Sequence, residues 1–162
     1  MTSPAPHADE TAAHVVTIKE RVQEDMKASM RSGEKERLGT IRLILAAVKQ
    51  REIDERIALD DTQLLVVLDK MAKQHRESIV HFEAGGRADL VAKETAELAI
   101  ISAYLPSPLS EAELDTLIND AIAQSGATSV RDMGKVMGLI KPRTQGRADM
   151  AAVGARIKAR LA

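Results

Sequence analysis

Glu94 and Glu97 are the two carboxylates in this chain best spaced for chemistry. Three residues apart on a helix, they share a face, where such a pair could hold a cation or move a proton. Lys73, Arg76, Arg87 and Asp89 lie around the same Gly85-Gly86 turn. A salt-bridge network through Arg76 or Arg87 accounts for that cluster too, and is the plainer reading. The histidines add no obvious ligand set. Two of the four fall in residues 1–14. His75 and His81 are about 240° apart around a helix, too far to share one metal. His75 stands near an apolar stripe, where a packed ring with one hydrogen-bond partner is expected. The chain has no cysteine, so it offers no thiolate ligand, cysteine nucleophile or disulfide. It also lacks a GxxxxGK[ST] phosphate loop and a GxSxG elbow. No nucleophile and base can be paired from the sequence, so the expectation is a non-catalytic protein with no metal and no cofactor.

A stronger signal sits at the other end. From Gly126 to Ala162 the basic residues are Arg131, Lys135, Lys141, Arg143, Arg147, Arg156, Lys158 and Arg160, opposed only by Asp132 and Asp149. That segment carries +6, while residues 1–125 carry −7, and the whole chain −1. A compact basic end on an acidic body suits a polyanion, nucleic acid foremost. The aromatics are Phe82 and Tyr104 alone, so stacking platforms for single-stranded bases are missing. The expected ligand is therefore structured RNA, held through phosphate and ribose. Arg131 and Lys135 share the polar side of one helix, with Gly134 and Gly138 beside them. Each glycine costs about 1 kcal/mol in a helix interior. Either another helix packs closely on the two glycines, or they let a phosphate backbone approach. Arg156 and Arg160, four apart, share a flank of the last helix. They suit bidentate phosphate contacts, or ion pairs to an acidic neighbouring helix through Asp115 or Asp120.

The elements that must position these groups all read as helices, giving an all-α fold. Thr17-x-x-Glu20 makes a capping box before a stripe of Ile18, Val22, Met26 and Met30. The second helix runs from about Glu34 to Arg56, with Leu38, Ile41, Leu45 and Val48 on one seam. The third runs from Asp60 or Asp61 to Ala84 through Leu64, Leu68, Met71, His75 and Phe82. The fourth, from about Ala88 to Tyr104, turns Leu90, Leu98, Ile101 and Leu105 inward and stops at Pro106 and Pro108. Ser110-x-x-Glu113 opens a fifth. Ser129-x-x-Asp132 is a weaker cap for a sixth, ending before Pro142. Asp149 or a neighbour opens a seventh, with Met150, Val153, Ile157 and Leu161 apolar. The expected division is a disordered leader (1–14), a four-helix N-terminal domain (15–105) and a small three-helix C-terminal bundle (109–162). No apolar run could span a membrane. With the lack of cysteine, that gives an expected cytoplasmic location.

Two stretches go beyond periodicity. One is Lys73-Gln74-His75-Arg76-Glu77-Ser78, leading into Phe82-Glu83-Ala84-Gly85-Gly86-Arg87, Asp89-Leu90, Glu94, Glu97 and Tyr104-Leu105-Pro106. The other is Met133-Gly134-Lys135-Val136-Met137 followed by Gly146-Arg147-Ala148-Asp149. In this order and spacing they resemble the GatB/YqeY family over about residues 15–162, most of all its free-standing YqeY-like members. The C-terminal part is similar to the tail of the GatB subunit of tRNA-dependent amidotransferase, a tail that helps grip tRNA. The resemblance implies tRNA as the RNA, with an amidotransferase or an aminoacyl-tRNA synthetase assembly as the alternative partner. It implies relatedness to a glutamine-dependent carbon–nitrogen ligase but not its chemistry, because the chain has neither the kinase core nor an amidase-type Ser-Ser-Lys set. His75 departs from the family pattern, in which an Arg is common.

Overall fold

The computed structural model describes residues 15–144 and 146–162. The expected leader lies outside the described residues. Four helices come first: α1 (Ile18–Ser32), α2 (Lys35–Glu55), α3 (Asp61–Ala84) and α4 (Ala88–Ser102). Three follow: α5 (Glu111–Ser125), α6 (Met133–Thr144) and α7 (Met150–Leu161). No strand occurs among the described residues, so the fold is all-α as the periodicity indicates.

Local chemistry sets the helix starts. Thr17 and Glu20 form the reciprocal capping box, and Asp60 forms another with Gln63. Ser110 and Asp149 each accept a backbone N–H at the N-termini of α5 and α7.

Two apolar cores result. The first gathers Val22, Ile41, Ile44, Val48, Leu64, Leu68 and Ile101 from α1 to α4. The second gathers Leu114, Ile118, Val136, Ile140, Val153 and Ile157 from α5 to α7. Each such side chain contributes about 1.5–3 kcal/mol by leaving water. The segment between the cores is seated on the turn before α7. Gly146 has φ +74, and a Cβ there would lie 3.4 Å from Leu105 Cδ2 and 3.5 Å from Pro106 Cδ. Arg147 Nε donates to Ser107 O at 2.9 Å, and Leu109 N donates to Arg147 O at 2.8 Å.

Polar ties brace the first core. Tyr104 Oη donates to Asp25, and Arg21 stacks 5.6 Å above the Tyr104 ring. Burial, then the Asp25 contact, pushes the phenol up to about 12. Glu52 accepts from Leu59 N at 2.9 Å and from Lys19 Nζ at 3.0 Å, joining α1, α2 and the loop before α3.

Three local expectations need correction. Met30 is 55% exposed, and Ser29 takes the inward place at 1%, because α1 turns by 100° per residue rather than the 90° of a strict four-residue spacing. Ser129 forms no side-chain cap, and a short 3-10 turn (Val130–Asp132) precedes α6. Finally, α6 runs through Pro142 to Thr144. Pro142 lies on the exposed side, where a lost backbone bond is solvated. Buried Thr144 donates its hydroxyl to Ile140 O at 3.1 Å and holds the last turn.

Candidate functional site

The basic end divides into paired and unpaired cations. On the α5–α7 face, Arg156 donates from Nη1 to Asp115 Oδ1 and from Nη2 to Glu111 Oε1, both at 3.1 Å. One turn later Arg160 Nη2 donates to the same Asp115 oxygen at 2.7 Å, and its Nη1 reaches Asn119. The ion-pair alternative therefore holds for these two arginines. It runs through Asp115; Asp120 is exposed and outside it. Arg147 binds Ser107 O and lies 3.7 Å from Glu113.

On α6 the picture differs. Arg131, in the 3-10 turn before α6, and Lys141 and Arg143 on α6 are exposed, and their side chains enter no ion pair or hydrogen bond among the described residues; the same is true of the Lys158 side chain on α7. Lys135 is 70% exposed and only 4.0 Å from Asp132. The Asp132 carboxylate is engaged elsewhere. The Thr128 N–H, 3.0 Å away, is the main cause holding it below the usual carboxylate range. A Cβ at Gly134 or Gly138 would meet nothing within 4 Å, so the expected helix packing on these glycines is not there. They lie bare on a face with Lys135, Leu139 and Pro142, opposite buried Val136 and Ile140. Lys135 on α6 and Arg131 in the turn before it thus border two positions where a ligand can reach the helix backbone, with Lys141 and Arg143 on opposite flanks of that face.

Glu94 and Glu97 do share a face, but neither Arg76 nor Arg87 partners them. Arg87 pairs with Asp89 at 3.1 Å. His75 takes the place between the carboxylates. Its Nε2 lies 2.9 Å from Glu97 Oε2 and 3.6 Å from Glu94 Oε2. Nδ1 lies 2.9 Å from Met71 O, so the ring has two partners rather than the expected one. The three side chains are 13–21% exposed. Burial opposes charge on His75 most strongly, yet the bonds to Glu97 and Met71 O and the two carboxylates together outweigh it and raise its pKa above 6.5. The sequence did carry a signal for this contact. His75 stands ten residues before Gly85 and Glu97 eleven after Gly86, so an antiparallel hairpin brings them level.

A second feature, not anticipated from the sequence, is a groove of about 1040 Å³ between α2 and α4, lined among others by Lys35, Arg37, Leu43, Lys93 and Glu97.

Comparison with known proteins places this geometry in a family. A model described as Yqey-like protein matches residues 19–161. Three relatives are named altered inheritance of mitochondria protein 41, mitochondrial. The one from Pyrenophora tritici-repentis is 34% identical over 131 residues, 79% of this chain and 71% of its own length. That from Eremothecium gossypii is 39% identical over 94 residues, 57% of this chain and 51% of its own. That from Vanderwaltozyma polyspora is 31% identical over 119 residues, 69% and 64% respectively. The chain thus spans between about half and 71% of the length of these relatives. Their names overturn the expected cytoplasmic location. Absence of cysteine and of an apolar span does not distinguish the cytoplasm from a mitochondrial compartment, and no helix among the described residues is long and apolar enough to cross a membrane. The matched span takes in all seven helices but the first residue of α1, and on that extent the chain belongs to the YqeY-like family.

Proposed function

We propose that this chain is a non-catalytic accessory protein that binds structured RNA, tRNA foremost, through the exposed face of α6. The observation that carries the proposal is the exposed pair Arg131 and Lys135 beside two glycines with open space above them, with exposed Lys141 and Arg143 to either side. Cations without a strong internal partner are available to phosphate, and a bare helix backbone lets a ribose-phosphate strand come close. The resemblance of this end to an amidotransferase tail supports tRNA as the RNA. The other cations divide by their surroundings. The Lys158 side chain is exposed without a partner among the described residues, whereas Arg147, Arg156 and Arg160 tie α5, α7 and the segment before α5 together.

Affinity for tRNA should then fall steeply with salt. Four contacts give a slope of about −3.6, so a rise from about 50 to 200 mM salt weakens binding about 150-fold. Replacing Lys135 and Arg143 by Ala should lower that slope by about two contacts. Binding that ignores both changes sinks the proposal. A second reading, docking on an amidotransferase or synthetase assembly, is favoured by the α2–α4 groove, where Leu43 is 48% exposed. In that case partner capture would fail on changing Leu43 and survive changes in α6.

A further inference from the structure

We propose that His75, Glu94 and Glu97 form a binding site for one divalent transition-metal ion of the zinc type, clamping α3 to α4. Met71 O can only accept, so the 2.9 Å contact fixes the hydrogen on Nδ1. A neutral His75 then aims its bare Nε2 lone pair at Glu97 Oε2, 2.9 Å away. Two acceptors at that distance need a cation between them, either a proton or a metal. A ring anchored by Nδ1–H to a carbonyl with Nε2 free is the arrangement that metal-bound imidazoles adopt.

Geometry and charge both fit a metal. An ion about 2.1 Å from each donor separates the donors by about 3.0 Å in octahedral and about 3.4 Å in tetrahedral coordination. The two Nε2–carboxylate distances are 2.9 and 3.6 Å, and all three ligand atoms lie within 4.8 Å of one another. Neither glutamate has another ion-pair partner among the described residues. Two carboxylates against one ring leave a net charge of −1 even when the imidazole is protonated; a dication with neutral His75 cancels it. One imidazole with two carboxylates suits zinc, manganese or cobalt better than calcium, which prefers six to eight oxygens. Partial exposure of all three side chains leaves an entry path, and three protein ligands leave room for water.

The test uses the untagged, metal-stripped full chain, with Co2+ as spectroscopic probe and Zn2+ as calorimetric probe. The expected result is one Co2+ per chain, with visible absorption that Zn2+ abolishes on displacing it. Glu97→Gln and His75→Arg should each weaken binding at least about 100-fold, beyond what loss of a mere supporting bond costs. His75→Arg keeps a cation between the glutamates and so should keep the helical signal, separating loss of ligand from loss of fold. His81→Ala should bind as the parent does. Absence of binding, a stoichiometry other than one, or equal affinity in the parent and His75→Arg would overturn the site.

Discussion

Changing Arg156 and Arg160 to Ala should damage the fold and leave RNA binding nearly intact; changing Lys135 and Arg143 should do the opposite. The first pair makes side-chain bonds to Asp115, Glu111 and Asn119, with arginine exposures of 34% and 31% and Asp115 at 45%. Exposed ion pairs are worth about 0.2–1 kcal/mol each, and somewhat more when they share a carboxylate in a bidentate network. The double change also strips arginine methylenes from the α5–α7 seam. We expect a loss of about 1–2 kcal/mol, read as a lower urea midpoint at unchanged slope and smaller at high salt. For Lys135, 70% exposed and 4.0 Å from its nearest carboxylate, the expected stability change is within about 0.5 kcal/mol. Each phosphate contact it or Arg143 makes contributes about 0.9 to the salt slope, or about 3.5-fold in affinity across a fourfold rise in salt. Urea unfolding and tRNA titration on both double variants measure the two effects. If Arg156→Ala/Arg160→Ala lowers the salt slope by two contacts without shifting the urea midpoint, the division into structural and binding cations is wrong.

Three further outcomes follow from the packing. Glu52→Gln keeps an acceptor for Leu59 N but loses its charge and the Lys19 pair, which should cost about 1–2 kcal/mol at pH 7. The Leu59 N–H, then Lys19, holds the Glu52 carboxyl below 4.5 in the folded chain. That stability is present above the unfolded pKa and is lost as pH falls through the folded one, so the gap between parent and variant should close in acid; a pH-independent gap in urea midpoints refutes it. Ser29 Oγ is buried without a partner among the described residues, so Ser29→Ala should raise stability by about 1 kcal/mol, and a destabilised variant in thermal melts would show that the hydroxyl contributes a bond. Because α5 to α7 enclose their own core, a fragment of residues 109–162 should be helical by circular dichroism, though marginal at that size; a random-coil spectrum would refute it.

What the sequence revealed depended on range. Capping pairs such as Thr17 with Glu20 are local, and they mark α1 and α5 directly. The apolar stripes locate the cores because the helical period repeats along each element. Pro142 misled, since a proline stops a helix only where the lost bond and the ring cannot be accommodated, and on the solvent side of α6 they can. The roles of the cations were hidden for a different reason. Arg156 and Arg143 look alike in sequence, and only the tertiary position of Asp115, forty-one residues before Arg156, sets them apart. Gly134 and Gly138 likewise have two readings until the space above them is known. The packed, hydrogen-bonded His75 was legible, but its second partner, Glu97, was not, because it lies across a hairpin, although the symmetry about Gly85-Gly86 encodes the contact.

A grip of α6 on structured RNA through phosphate requires a salt-dependent affinity. The most direct measurement is the affinity of the full chain for tRNA at about 50 and 200 mM salt, beside unstructured poly-U under the same conditions. The expected result is tRNA binding at low salt with a slope of about −3.6, unrelated tRNAs within a few-fold of one another, and weaker poly-U. No tRNA binding at low salt, or affinity indifferent to salt, would contradict it.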